Sequence, residues 1–174
     1  HDSLIIKLQL ELIEKLKAFG TISGYPFLVR LNPNIIYRTR GNAALAIHIE
    51  LNRSDDAAVI EQIVIDTVKE MAVLSAENTN PGVVFIEEAS EDMKKDLARF
   101  SMRGVQDVHE IREAEELLLR YRINHVGFKN KRGLIGALAA AGFALTGLPD
   151  FTYELIAYRE KKRWGTPRVT KFGG

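Results

Sequence analysis

The segment from Arg132 to Leu145 constrains the fold more than any other. It is small and apolar, rich in Ala and Gly, and about the right length for a closely packed helix. A helix of that kind needs other elements around it. The rest of the chain offers them. Leu4 to Phe19 reads as an amphipathic helix, with Ile5, Leu8, Leu12, Leu16 and Phe19 at helical spacing. Asp2 or Ser3 can cap its start, and Gly20 can end it in the left-handed conformation. Phe27 to Leu31 suits a strand running into the Asn32-Pro33-Asn34 turn. Ala43 to Leu51 alternates as one half-buried strand: Leu45, Ile47, Ile49 and Leu51 face one way, Ala44, Ala46, His48 and Glu50 the other. Ala57 to Leu74 is a second helix, and Val83 to Glu87 another strand. Ser90 caps a short helix through Phe100, Val108 to Tyr121 forms a further helix, and Phe151 to Arg159 a final strand. Interleaved strands and helices predict an α+β fold with mixed sheets and packed helices. The strand–helix–strand stretch from Ala43 to Glu87 suits one half of a ferredoxin-like split βαβ unit.

Composition narrows the function classes. Hydrophobic residues are 46% and charged residues 27%, which are globular values. No apolar run approaches the roughly 20 residues of a membrane span, so no membrane partner is expected. Without a secretory signal pattern the default compartment is the cytoplasm. The absence of cysteine removes disulfides, thiol nucleophiles and Cys-ligated zinc from this chain. Lys and Arg number 24 against 23 acids, a net charge of +1. That excludes a dedicated polycation but leaves room for local basic surfaces.

Four stretches carry chemistry worth weighing. In Arg38-Thr39-Arg40-Gly41-Asn42, two Arg forks point the same way in an extended chain, and Gly41 admits a ligand to the backbone. Arg30 and Asn32 fall on the same alternating set. The bland alternative, favoured by pattern alone, is a solvated turn. In Lys129-Asn130-Lys131-Arg132-Gly133, basic residues lead into the Ala-rich helix, whose N-terminus suits phosphate and whose Gly133 and Gly136 permit close approach. Helix packing explains those glycines equally well. Asn78-Thr79-Asn80-Pro81-Gly82 presents amides that can read a base, ribose or phosphate, or is simply a turn. The tail gathers Arg159, Lys161, Lys162, Arg163, Arg168 and Lys171 around Trp164, a composition suited to RNA or to an exposed chain end. The histidines show no metal-ligand spacing, and Glu87, Glu88, Glu91 and Asp92 suit a solvated helix start. Glu154, inside an otherwise apolar strand, needs a partner or a metal.

Taken in order, several stretches together resemble one archaeal family. They are Arg30-Leu31-Asn32-Pro33, Arg38-Thr39-Arg40-Gly41-Asn42, Thr79-Asn80-Pro81-Gly82, and Ser101-Met102-Arg103 with Val105 to Val108. Arg132 to Ala140, Tyr153 to Arg159 and Trp164-Gly165-Thr166-Pro167-Arg168 complete the set. The family is the 2-agmatinylcytidine synthetase of the minor isoleucine tRNA. The resemblance implies an ATP-dependent tRNA-modifying ligase, using magnesium, that phosphorylates the 2-oxo group of the wobble cytidine and lets agmatine displace the phosphate. It implies that residues 1–174 correspond to the family's N-terminal catalytic half, a kinase-like and a ferredoxin-like module meeting near residues 88–104, without the OB-fold and zinc ribbon. Arg38, Arg40 and Arg132 would neutralise triphosphate oxygens, and Gly41, Gly133 and Gly136 would admit them. Asn42, Asn78 and Asn80 would orient nucleotide or metal-bound water. Glu154 would serve magnesium or structure. Lys161, Lys162, Arg163, Trp164 and Arg168 would meet RNA. The chain departs from the family at Ala43, where Gly is usual. It also starts with His1-Asp2-Ser3, past the position of the family's acidic Asp-Asp-Thr-Asp-Ser loop. Two readings follow: a catalytic portion of such a ligase, or a non-catalytic RNA- or nucleotide-binding module of the same fold.

Overall fold

A computed structural model describes residues 2–34 and 42–147 of the chain. Its elements are α1 (Asp2–Leu16), β1 (Gly20–Ile22), β2 (Phe27–Arg30), β3 (Ala43–Ala46), β4 (Ile49–Leu51), α2 (Ala57–Met71), β5 (Gly82–Phe85), α3 (Glu91–Gln106), α4 (Ile111–Arg120), β6 (Asn124–Gly127) and α5 (Gly133–Thr146). A 3-10 turn, Ser54–Asp56, leads into α2. The strands form three small antiparallel pairs, β1 with β4, β2 with β3, and β5 with β6. The α+β class is met.

The expected single strand from Ala43 to Leu51 is two strands. The chain leaves one sheet after Ala46 and joins another at Ile49, so both of its faces are used. Ile47, Ile49 and Leu51 pack on the Leu12, Leu16 and Ile60 cluster between α1 and α2. Ala44 and Ala46 pack on Val29, Ala140 and Phe143. The face read as polar is therefore partly core, because alanine is small enough to let α5 approach. The pairing also corrects the split βαβ placement. A split βαβ unit keeps its two parallel strands in one sheet around an intervening strand, but β3, β4 and β5 lie in three separate pairs.

Gly20 does not terminate α1 in a left-handed conformation. It opens β1 opposite Leu51, where a Cβ would strike the Glu50 carbonyl. Strands β1 and β6 escape sequence reading: one has three residues, and the other begins with exposed Asn124 and His125 instead of alternating. Ser90 does cap α3, its hydroxyl accepting from the Met93 N–H at 3.2 Å. That helix runs on to Gln106, past the expected end at Phe100. Helix α4 starts with a capping box between Glu110 and Glu113.

Helix α5 is the axis of the larger core. Leu134, Gly136, Leu138, Ala139, Ala140, Gly142 and Phe143 are all buried. With Met93, Leu97, Phe100, Ala114, Leu118 and Ile123, its leucines form one cluster across α3, α4 and α5. Each buried leucine contributes about 1.5–3 kcal/mol by transfer from water. The Ser101 hydroxyl donates to the Ala139 carbonyl at 2.8 Å, and Gly142 lets α3 come close enough for it.

Candidate functional site

Four of the stretches singled out in the sequence meet around the N-terminal half and middle of α5. The Asn78–Gly82 loop lies against the helix entry: Pro81 and Gly133 form a parallel bridge, and the Phe128 N–H donates to the Pro81 carbonyl at 3.0 Å. The β2–β3 hairpin packs one turn further on, with Leu31 and Ala44 against Gly136. Ser101 of α3 follows at Ala139.

The glycines explain why the approach is so close. A Cβ on Gly133 would overlap the Asn80–Gly82 backbone, and a Cβ on Gly82 would overlap Gly133 and Leu134. The two glycines face each other, backbone to backbone. Gly136 has the Leu31 side chain 3.0 Å from where its Cβ would stand. Of the two uses open for Gly133 and Gly136, the geometry shows packing. A ligand has no space on those faces.

The helix start is also partly spoken for. The Leu134 N–H donates to Lys131 O at 3.0 Å and the Ile135 N–H to Arg132 O at 3.2 Å. These bonds satisfy two of the amides that an anion would otherwise claim. A ligand at this turn would therefore meet side chains. Arg132 is exposed, as is Asn78, and Asn80 is half-buried. The Arg132 N–H is held by the Asn130 side-chain oxygen at 3.0 Å, which fixes the turn into the helix. Lys129 and Lys131 point elsewhere. The Lys129 ammonium donates to the Ala76 carbonyl at 2.7 Å and the Glu77 carbonyl at 3.1 Å, and Lys131 pairs with Glu115 at 3.1 Å. Both take positive φ, 52° and 63°.

The hairpin neck is tied by asparagines. The Asn42 amide donates to Asn32 O at 2.7 Å, the Asn34 N–H donates to Asn32 Oδ1 at 2.9 Å, and the Leu31 N–H donates to Asn42 O at 2.9 Å. Asn42 sits at φ 33°, which asparagine tolerates. Its amide nitrogen thus has a structural use at the place where the chain returns toward β3. Asn32 is buried and its N–H donates to Gly104 O at 3.2 Å, joining hairpin to α3. Arg38, Arg40 and Gly41 lie outside the described residues, as do Glu154, Lys161, Lys162, Arg163, Trp164 and Arg168.

Sequence reading missed His109, which is buried and stacked on Phe100 with ring centroids 3.8 Å apart. Its Nε2 is 2.8 Å from the Phe100 carbonyl and its Nδ1 3.2 Å from Glu113 Oε2. The four-residue spacing of His109 and Glu113 was the available signal. Burial pushes the Glu113 carboxyl up, but bonds from the Glu110 backbone, His109 and Arg103 outweigh it and hold the carboxyl low. Asp96 is also held low, chiefly by the Tyr121 hydroxyl, which donates at 2.7 Å. Tyr121 is raised in turn, mainly by that bond. Both nodes tie α3 to α4. Among the described residues no group of three or more His, Asp or Glu could hold a metal ion. No described helix is long and apolar enough to cross a membrane.

Comparison with known proteins agrees with this assembly of motifs. Residues 5–130 match the TiaS TCKD domain and residues 131–172 the TiaS FLD domain, so the two matches meet in the turn before α5. The isoleucine-tRNA 2-agmatinylcytidine synthetase TiaS of Methanosarcina mazei is 47% identical over 160 residues, covering 90% of this chain and 36% of that protein. The TiaS of Archaeoglobus fulgidus is 42% identical over 161 residues, covering 92% of this chain and 36% of its own. A crystal structure of TiaS in complex with its isoleucine tRNA and ATP superposes with a TM-score of 0.79 at 40% identity, covering 92% of this chain and 37% of that one. A complex of TiaS with the same tRNA, AMPCPP and agmatine gives 0.76 at 37% identity, with the same coverage. The chain spans a little over a third of the length of these relatives. With both family domains matched in order along nearly its whole length, the chain belongs to the TiaS family of isoleucine-tRNA 2-agmatinylcytidine synthetases.

Proposed function

We propose that this chain carries the ATP-handling part of a tRNA-modifying ligase that installs agmatine on the wobble cytidine of the minor isoleucine tRNA. The observation that carries the reading is the meeting of the Asn78–Gly82 loop, the Arg132 turn and the β2–β3 hairpin around the start of α5. Relatives solved with an isoleucine tRNA, ATP and agmatine support it.

The cytosine 2-oxo carbon is a poor electrophile because the flanking ring nitrogens donate into it, and its oxygen is a poor leaving group. The 2-oxo oxygen bonds to the γ-phosphorus of ATP as the bond to the bridging oxygen breaks and ADP leaves, which turns that oxygen into part of a phosphate ester, a good leaving group. An agmatine nitrogen then forms a bond to C2 and gives up a proton, the C2–O bond breaks, and phosphate departs with its electron pair. Phosphoryl transfer asks the protein mainly for positioning and for neutralisation of charge. Arg132 from the turn before α5, with Arg38 and Arg40 from the sequence between β2 and β3, supplies positive charge to the triphosphate in this reading. Gly41 admits the nucleotide to the backbone. Asn78 and Asn80 orient it from the neighbouring loop. Asn42 contributes by closing the hairpin neck. Lys161, Lys162, Arg163, Trp164 and Arg168 meet the tRNA through phosphate contact and stacking. Magnesium is expected with ATP, and the described residues do not assemble a carboxylate cluster for it. Glu154 is a candidate to serve that ion.

Isothermal calorimetry tests the reading. ATP with magnesium should bind this chain, and Arg132→Ala should weaken it about tenfold or more without unfolding the protein. Unchanged affinity in both Arg132→Ala and Arg40→Ala would remove the assignment.

A further inference from the structure

We propose that Lys129 is a positioning residue for the nucleotide site: it clamps the Asn78–Asn80 amides against the Arg132 turn. The inference rests on the reading of that turn as part of the ATP site. Its own evidence is separate.

Sequence alone groups Lys129 with the phosphate-seeking cations. The structure commits its ammonium to two backbone carbonyls, Ala76 at 2.7 Å and Glu77 at 3.1 Å, more than fifty positions away. Those carbonyls stand immediately before Asn78. At its other end the loop is held by the Phe128 N–H on Pro81 and by the Pro81–Gly133 bridge. The Thr79 N–H closes back on Ala76 O at 3.0 Å. Asn78 and Asn80 therefore lie between two anchors, both of which belong to the turn that carries Arg132. One anchor is made by backbone packing. The other is made by Lys129 alone among the described residues.

The backbone of Lys129 supports the same conclusion. Its φ of 52° is a left-handed conformation that glycine would adopt more easily. A glycine here would relieve the backbone, and only the side chain would be lost. The side chain's visible job is the clamp. Local strain held in place by the surroundings is common where a site must be fixed in advance.

That gives a test in which stability and binding move in opposite directions. In this chain, Lys129→Gly should keep or raise the unfolding midpoint. It should speed hydrogen exchange at residues 76–80 and weaken ATP about tenfold by calorimetry. Lys129→Arg, which can still donate to both carbonyls, should recover part of the affinity. Lys129→Met, which keeps the stem and the Cβ, carries the same test if the glycine variant unfolds. If Lys129→Gly and Lys129→Met bind ATP like the parent while Arg132→Ala binds poorly, the clamp is overturned and the site reading stands. If Arg132→Ala and Arg40→Ala also bind like the parent, the site reading falls and takes the clamp with it.

Discussion

The two halves of the molecule are held together by different means. Around α1 and α2, the core is an ordinary stripe-on-stripe contact: Leu12, Leu16 and Ile60, with Ile49 and Leu51 from the small β1–β4 pair. Their outer faces are solvated, and even Leu10 and Val59 are exposed. Around α5, contacts that depend on missing atoms recur along one helix, whereas the described residues of the α1–α2 half make one, Gly20 against the Glu50 carbonyl. Gly133 meets Gly82, Gly136 meets Leu31, and Gly142 meets Ser101 and Leu97. A stripe of leucines tolerates some repacking, since side chains can move. Backbone lying on backbone cannot yield in that way. The half that gathers the candidate site is the half with the least freedom, which suits positioning chemistry.

The largest expected effect breaks that closeness directly. Gly133→Ala, Gly82→Ala or Gly142→Ala forces a methyl group into backbone or into the Ser101 hydroxyl. Each should cost about 3 kcal/mol or more, read from the denaturant midpoint. Gly24 is the control. It has a φ of 68° but nothing within 4 Å of a Cβ, so Gly24→Ala should cost only about 1 kcal/mol. Equal losses at Gly24 and Gly133 would show that the backbone contact at Gly133 costs no more than a left-handed φ does at Gly24.

Side-chain deletion comes next. Leu138 is fully buried in the α5 core, and Leu138→Ala should cost about 2–5 kcal/mol. Leu12, in the α1–α2 core, still shows 6% of its surface. Its neighbours line a shallower cluster that can partly collapse, so Leu12→Ala should fall at or below the low end of that range. Were Leu12→Ala the costlier of the two, the contrast between the halves would be wrong.

These differences bear on what could be read from the chain. Helix α5 was legible because its composition permits little else, and the Ser90 cap was legible because Ser stands directly before two acids and an apolar period. The shared location of the Thr79–Gly82 and Arg132–Gly136 stretches followed from family order, not from spacing. What could not be read was the partner of each glycine. A glycine that admits a phosphate and one that admits Pro81 look alike in one dimension. Lys129 misled for a related reason: a lysine beside a helix start suggests phosphate, while two carbonyls distant in sequence claim it here. The Ala43–Leu51 stretch alternated as one strand because both of its faces are buried against different clusters. His109 offered only a weak four-residue pairing with Glu113.

The smallest effect tests the corner between α3 and α4. Glu113 takes hydrogen bonds from the Glu110 N–H, His109 and Arg103, which together overcome the rise that burial would cause. Its carboxyl is therefore held below the ordinary 4.5. A group depressed in the folded state stabilises fully above its unfolded value. That contribution is lost as the pH falls below 4.5 and through the folded value. Glu113→Gln should accordingly lower stability at neutral pH and flatten the acid limb of the stability curve. With the side chain 32% exposed, solvent screening keeps the effect below about 1 kcal/mol. Asp96, depressed in the same corner, should preserve part of the acid slope in that variant. An acid limb identical in parent and Glu113→Gln would mean that the His109–Glu113 contact adds nothing to the junction of α3 and α4. The α3–α4 corner would then rest on its apolar cluster and on the Asp96 bonds to Tyr121 and Arg120.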